Sequence, residues 1–396
     1  MKSKLLAIGL IIGTCSFSQV TLIPDENFEG YLVSEGIDTD GLLNGQVLTA
    51  DIEDVVALSL VNLSIEDLTG LEDFTALEVL DCSENFNLEA INLSSNTSLR
   101  EFYAQFCAFT TIDFSNNVNL ELVYVPHNNL TSLTLTSHPA LENLTCGNPL
   151  IDLIPFNQIS TLDLSGTPNL LFLDVSFMGS MSSLDLSQIP LLETFYGSYC
   201  SFNALDLSDN SALETLVLGG FDSGIVSGQS NNLTNLDLSN NPNLTTLDVE
   251  LTNINSLNLK NGNNTVLVSM KAHLNDPLFC ILVDDAIAAN GGASPYNTWV
   301  VDAQVTYDDE ECVLTVAENT VESIWLYPNP AAQTINLSLP LREVPTGISI
   351  YATTGELLLQ PVLKNNSIDV SELASGMYIL SLQYNQEISN KTFVKR

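Results

Sequence analysis

Three histidines, seven cysteines and 48 Asp and Glu are the residues of this chain that could do chemistry. His127, His138 and His273 stand alone, and none has a Cys or carboxylate at a local metal-binding spacing. No G-x-S-x-G, H-E-x-x-H or phosphate-loop pattern occurs. Cys82, Cys107, Cys146 and Cys200 are far apart in sequence with no C-x-x-C pair, so a metal cluster is not expected. Carboxylates are so frequent that composition alone leaves an acid–base pair open. But the Asp of "LDLS" recurs at Asp163, Asp185 and Asp206, and repetition argues for a structural or surface role rather than one catalytic centre. The reading is a chain without enzymatic activity and without a cofactor, calcium being the one ion its acids could attract. A net charge of −38 argues against nucleic acid and anionic membranes as partners, both being polyanions.

The remaining candidates are binding residues: Asp81, Tyr103, Tyr124, Asp174, Tyr196 and Asp248. Each is the middle residue of an apolar-x-apolar triplet, as are Thr145 and Val217. Triplets recur from Leu80 to Leu257 at steps of 10 or 11 residues over much of that stretch, in two alternating kinds, so the period is about 21. One kind reads L-x-x-L-x-L-x-x-N/C-x-L, as in "LELVYVPHNNL" at 120–130. "LREFYAQFCAF" and "LETFYGSYCSF" place Cys107 and Cys200 in its Asn/Cys slot. The other reads "LDLSxNxxL", as in "LDLSDNSAL" at 205–213.

These motifs resemble the leucine-rich repeat family. One coil of this length cannot bury its apolar side alone, whereas stacked coils share a core. The first and third triplet residues then face inward and the middle ones outward. Cys107 and Cys200 should be buried thiols in the turn, and Cys82 and Cys146 should lie in the core. The outward residues should form one row, with Tyr103 beside Tyr124. The acids of the second kind, Asp113, Asp163, Asp185, Asp206 and Asp237, should form another column, either a solvated face or a weak calcium ladder. The stretch 219–232 is rich in Gly and Ser and reads as a surface loop.

Both ends carry cap signals. Asp25 precedes Phe28, Tyr31 and Leu32 at helical spacing, which resembles the N-terminal cap of bacterial members of the family. "DTDG" at 38–41 suggests a calcium loop, but the EF-hand positions one and twelve would fall on Gly36 and Val47, so a tight turn is expected. The segment from Phe279 to Cys312, with Trp299 inside it, resembles the C-terminal cap of flavobacterial relatives. That resemblance implies a Cys280–Cys312 disulfide.

Residues 1–18 read as a secretory signal peptide: Lys2 and Lys4, an apolar run from Leu5 to Gly13 too short to span a bilayer, then small residues before Gln19. Cys15 sits in "IGTC", a poor lipobox. No later apolar run is long enough to cross a membrane. At the other end, "LYPNPA", "ISIYATTGELLL", "IDVSELASGMYIL" and "KTFVKR" alternate strand and turn signals, giving a small antiparallel β-sandwich. Together they resemble the C-terminal sorting domain of the type IX secretion system of Bacteroidetes, which implies export and handling of 325–396 by that machinery.

The expected organisation is a signal peptide (1–18), an N-terminal cap with an irregular first repeat (19–76), a leucine-rich repeat solenoid (77–270), a C-terminal cap (271–314), a linker (315–324) and a sorting domain (325–396). The expected function is a secreted or surface-held binding or adhesion protein with a protein or glycan ligand on the strand face. The alternative is an acidic surface or matrix component stiffened by calcium.

Overall fold

The computed structural model describes residues 19–148, 156–220, 231–312, 325–338, 345–364, 366–383 and 388–396. The expected signal peptide, the linker and most of the 219–232 stretch lie outside the described residues. The chain divides into two compact units, 1–312 and 313–396.

The first unit opens with a helix, Glu26–Ser34, whose start is set by Asp25. The Asp25 carboxylate accepts the backbone N–H groups of Asn27 and Phe28, satisfying two donors that have no partner within the helix. Phe28 and Leu32 are fully buried, so this face seals the first coil. Strand Val20–Leu22 pairs antiparallel with Gln46–Leu48 across the same end.

The coils then stack into a ten-stranded sheet, parallel throughout. Its strands are three residues long, from Ala57–Ser59 to Ser269–Lys271. The central residue of every strand is apolar and buried. Leu80, Phe102, Val123, Leu144, Leu173, Phe195 and Leu216 are each no more than 1% exposed. Stacking lets every such side chain touch its counterparts above and below, which no single coil could offer. The "LDLS" arm is closed mainly by turns. It forms strands only late, where Asn235–Asp237, Ser256–Asn258, Cys280–Leu282 and Thr306–Asp308 build a four-stranded parallel sheet.

At the far end Trp299 donates its indole N–H to Leu267 O at 2.9 Å and packs edge-on against Tyr296 and Tyr307. A disulfide joins Cys280 to Cys312, as expected. The other four described cysteines are buried free thiols.

The second unit has two antiparallel sheets. One contains Trp325–Tyr327, Thr334–Ser338 and Ser367–Asp369. The other runs in the order Leu357–Leu359, Gly347–Ala352, Gly376–Gln383, Ile388–Lys395. Ile335, Leu337, Ile368 and Val370 of the first share one core with Ile350, Leu380, Leu382 and Phe393 of the second. That is a small β-sandwich.

Candidate functional site

The register places the candidate residues in one row. Asp81, Tyr103, Tyr124, Thr145, Asp174, Tyr196, Val217 and Asp248 follow one another strand by strand. Neighbouring strands lie about 4.8 Å apart, so the row is a continuous strip. The Tyr103 and Tyr124 rings stand 6.3 Å apart between centroids. Tyr196 lies 5.7 Å from Phe172 of the preceding coil. The Tyr103 hydroxyl donates to Glu101 at 2.9 Å, and burial together with that carboxylate pushes its phenol up to about 12.

Two members of the row depart from expectation. Thr145 and Asp174 are buried, each 8% exposed. Gly147 packs directly onto Asp174: a Cβ there would stand 2.8 Å from the Asp174 Oδ1. Burial pushes the Asp174 carboxyl up, opposed by the N–H of Ser176.

The second column of acids has a local function that the sequence reading missed. Asp113, Asp163, Asp185, Asp206 and Asp237 each accept the N–H of the residue two places on, from Ser115 to Ser239, at 2.9–3.0 Å. This is an Asx turn, repeated in every such coil. The hydrogen bond favours the ionised form and holds Asp113 and Asp163 below the usual carboxylate range, while the Ser side chain does so first for Asp185 and Asp206. Asp81, Asp174 and Asp248 of the candidate row cap their turns in the same way.

Inside the solenoid the Asn/Cys slot is a hydrogen-bond ladder. Asn128 donates to Ala104 O at 2.6 Å and Val125 O at 3.2 Å, and its carbonyl accepts the Phe109 N–H. Asn85, Asn157, Asn231 and Asn275 do the same in their coils. Cys107 and Cys200 fill the slot with one weak S–H donor each, to Cys82 O and Val175 O. Burial pushes the Cys200 thiol up to about 12, so it is inert. His138 takes the equivalent slot on the "LDLS" arm, with a ring nitrogen 3.1 Å from Phe114 O. His127 stacks on Phe106 at 4.5 Å, and His273 pairs with Glu250 at 3.2 Å. The histidines are therefore parts of the coil. Among the described residues no three His, Cys, Asp or Glu gather as a metal site.

A third column escaped the sequence reading. Glu78, Arg100, Glu121, Glu142, Leu171, Glu193 and Glu214 immediately precede the strands, and successive backbone hydrogen bonds between them extend the ladder by one rung. The signal was present as a recurring Leu-Glu pair at 77–78, 120–121, 141–142, 192–193 and 213–214.

Residues 325–396 match a protein family described as "Secretion system C-terminal sorting domain". The tail is a type IX sorting domain. The chain is therefore a secreted or outer-surface protein, and no described helix is long and apolar enough to cross a membrane. The last strand of the sorting domain is held at its end: Ala331 donates to Val394 O at 2.7 Å, and Arg396 N–H returns a bond to Ala331 O at 2.9 Å. Asn329 accepts the Val394 N–H through its side chain. Thus the "PNPA" stretch and the terminal "FVKR" are two halves of one contact.

Solved structures similar to the chain include the functional domain of InlJ from Listeria monocytogenes. It has 18% identity and a TM-score of 0.49, covering 97% of this chain and 100% of that one. A leucine-rich repeat protein of Leptospira interrogans has 15% identity and a TM-score of 0.46, covering 65% and 68%. Internalin C2 of Listeria monocytogenes has 18% identity and a TM-score of 0.43, covering 58% and 96%. No curated protein sequence matches the chain.

Proposed function

We propose that the chain is an exported, non-enzymatic binding or adhesion protein whose protein or glycan ligand lies along the ten-stranded face. The observation that carries this is the register, which sets Asp81, Tyr103, Tyr124, Asp174, Tyr196 and Asp248 in one strip. Tyrosines offer large, rigid contact area with a polar tip, suited to a protein epitope or a sugar ring. The handling partner is the type IX machinery, through residues 325–396. The test is a protein and glycan array probed with the purified chain, then with Tyr103, Tyr124 and Tyr196 replaced together by Ala. With folding intact by circular dichroism, binding to the hits should fall; undiminished binding would remove the strip from consideration.

A second reading is a structural component stiffened by calcium. What supports it is the acidic composition together with Asp38, which is buried and has an Oδ2 without a hydrogen-bond partner among the described residues. A cation bound only by the folded chain raises its melting temperature. A calcium titration that leaves the melting temperature unchanged would dispose of this reading.

A further inference from the structure

The ten-stranded face carries a charge imbalance that its own residues do not correct. Residues 19–312 hold 41 Asp and Glu but only three Lys and Arg: Arg100, Lys260 and Lys271. Two of these three lie on the sheet, and each is drawn to one of its acids. Arg100 binds Glu121 at 2.5 Å, and Lys271 reaches Asp248 at 3.3 Å. No other Lys or Arg pairs with a carboxylate among the described residues of the solenoid.

The acids left over are close together. Glu193 and Glu214 stand on adjacent coils, joined by the Glu214 N–H to Glu193 O bond at 2.8 Å, and both are exposed. Glu142 follows Glu121 in the same way. Like charges at one-strand spacing repel and lower stability, so the Glu193–Glu214 pair is a cost the fold carries without a partner. At the middle of the row Asp174 is covered by Gly147 and hydrogen-bonded to the Ser176 N–H, so it is closed to a partner. Tyr124 and Tyr196 flank this region, and aromatic faces attract guanidinium and ammonium groups.

We infer that the partner of this face is an extended, Arg- or Lys-rich polypeptide segment, its cations set against the exposed Glu142, Glu193 and Glu214 rim, its stems lying over Tyr124 and Tyr196. Arg100 and Lys271 show the same pairing in miniature. This rests on the proposal that the strand face is the binding site, and adds the class of ligand. A net charge of −38 also steers a cationic chain toward the molecule before it docks.

The experiment uses the full chain and a fluorescent peptide of four Arg-Gly-Ser repeats, with its citrulline analogue as the uncharged counterpart, at physiological ionic strength. The Arg peptide should bind and the citrulline peptide should not. Replacing Glu142, Glu193 and Glu214 with Gln should weaken binding about tenfold, the scale of a few partly exposed charge pairs. A charge-matched control, Glu89→Gln with Asp209→Asn and Asp276→Asn, removes three exposed acids elsewhere and should change affinity less than about twofold. Equal losses in the two variants would overturn the inference, since the peptide would then be reading net charge alone. Absence of binding, or equal binding of the citrulline peptide, would overturn it too. Array hits that are neutral, depend on the tyrosines and ignore the Glu→Gln changes would leave the strand face as the site and reject the cationic partner.

Discussion

At the scale of single residues, buried slots and exposed turns behave differently. Asn128 serves four backbone groups, the carbonyls of Ala104, Val125 and Pro126 and the Phe109 N–H. Asn128→Ala would remove its bonds to the buried Ala104 O and Phe109 N–H and should cost about 2–4 kcal/mol, measured by chemical denaturation. Cys107→Ala removes one weak S–H bond and should cost about 1 kcal/mol or less in the same assay. The Asx-turn acids predict a pH dependence. The folded carboxyls of Asp113, Asp163, Asp185 and Asp206 lie below the unfolded value, so their stabilising effect is present above that value and is lost as pH falls through the folded one. Asp174 has the opposite sign: its carboxyl is raised, so its contribution is fullest at low pH and is lost as pH rises through the folded value. Melting curves across the acid range should therefore show wild type losing stability below about pH 4. Asp163→Asn with Asp206→Asn should flatten that slope, whereas Asp174→Asn should make the chain more stable near neutrality relative to wild type.

At the scale of elements, the coil is defined by what its neighbours allow. Gly166 is needed because a Cβ there would lie 2.2 Å from Leu135 O and 2.3 Å from the Thr136 carbonyl carbon. Gly166→Ala must push two coils apart and should destabilise by about 1–3 kcal/mol. The equivalent place in the next-but-one coil is taken by exposed Asp209, so no rule about Gly at that repeat position could be read from the motif. The elements themselves were readable: the triplets mark the strands of the sheet, the Asp25 cap marks the helix, and alternating signals mark the sorting domain. The exposure of Thr145 and Asp174 was not readable. For Asp174 it depends on the close approach of Gly147 from the neighbouring coil, a contact the repeat pattern does not specify.

At the scale of the whole molecule, the sorting domain answers to the secretion machinery. Deleting residues 325–396 should leave the protein in the periplasm, as fractionation would show; normal surface display would contradict the export role. The Cys280–Cys312 bridge closes 32 residues of the cap. In the chain-entropy account it contributes about 3–4 kcal/mol, so reduction should lower the melting temperature of the solenoid. The charge also divides unequally, because nearly all of the excess acid lies between residues 19 and 312. This makes the solenoid, rather than the tail, the part that would select a cationic ligand.

By itself the sequence determined the period, the slot residues, the caps and the export tail. Each of these is a local requirement, repeated until its pattern exceeds chance: an apolar residue inside every coil, a polar group for every buried turn, and paired strand and turn signals at the end of the chain. Only the tertiary structure decided which acids cap turns, which stand over buried backbone and which face outward unpaired. Those outcomes depend on the register between coils about 21 residues apart, where hydrogen bonds and side-chain contacts are made across the stack and not along the chain.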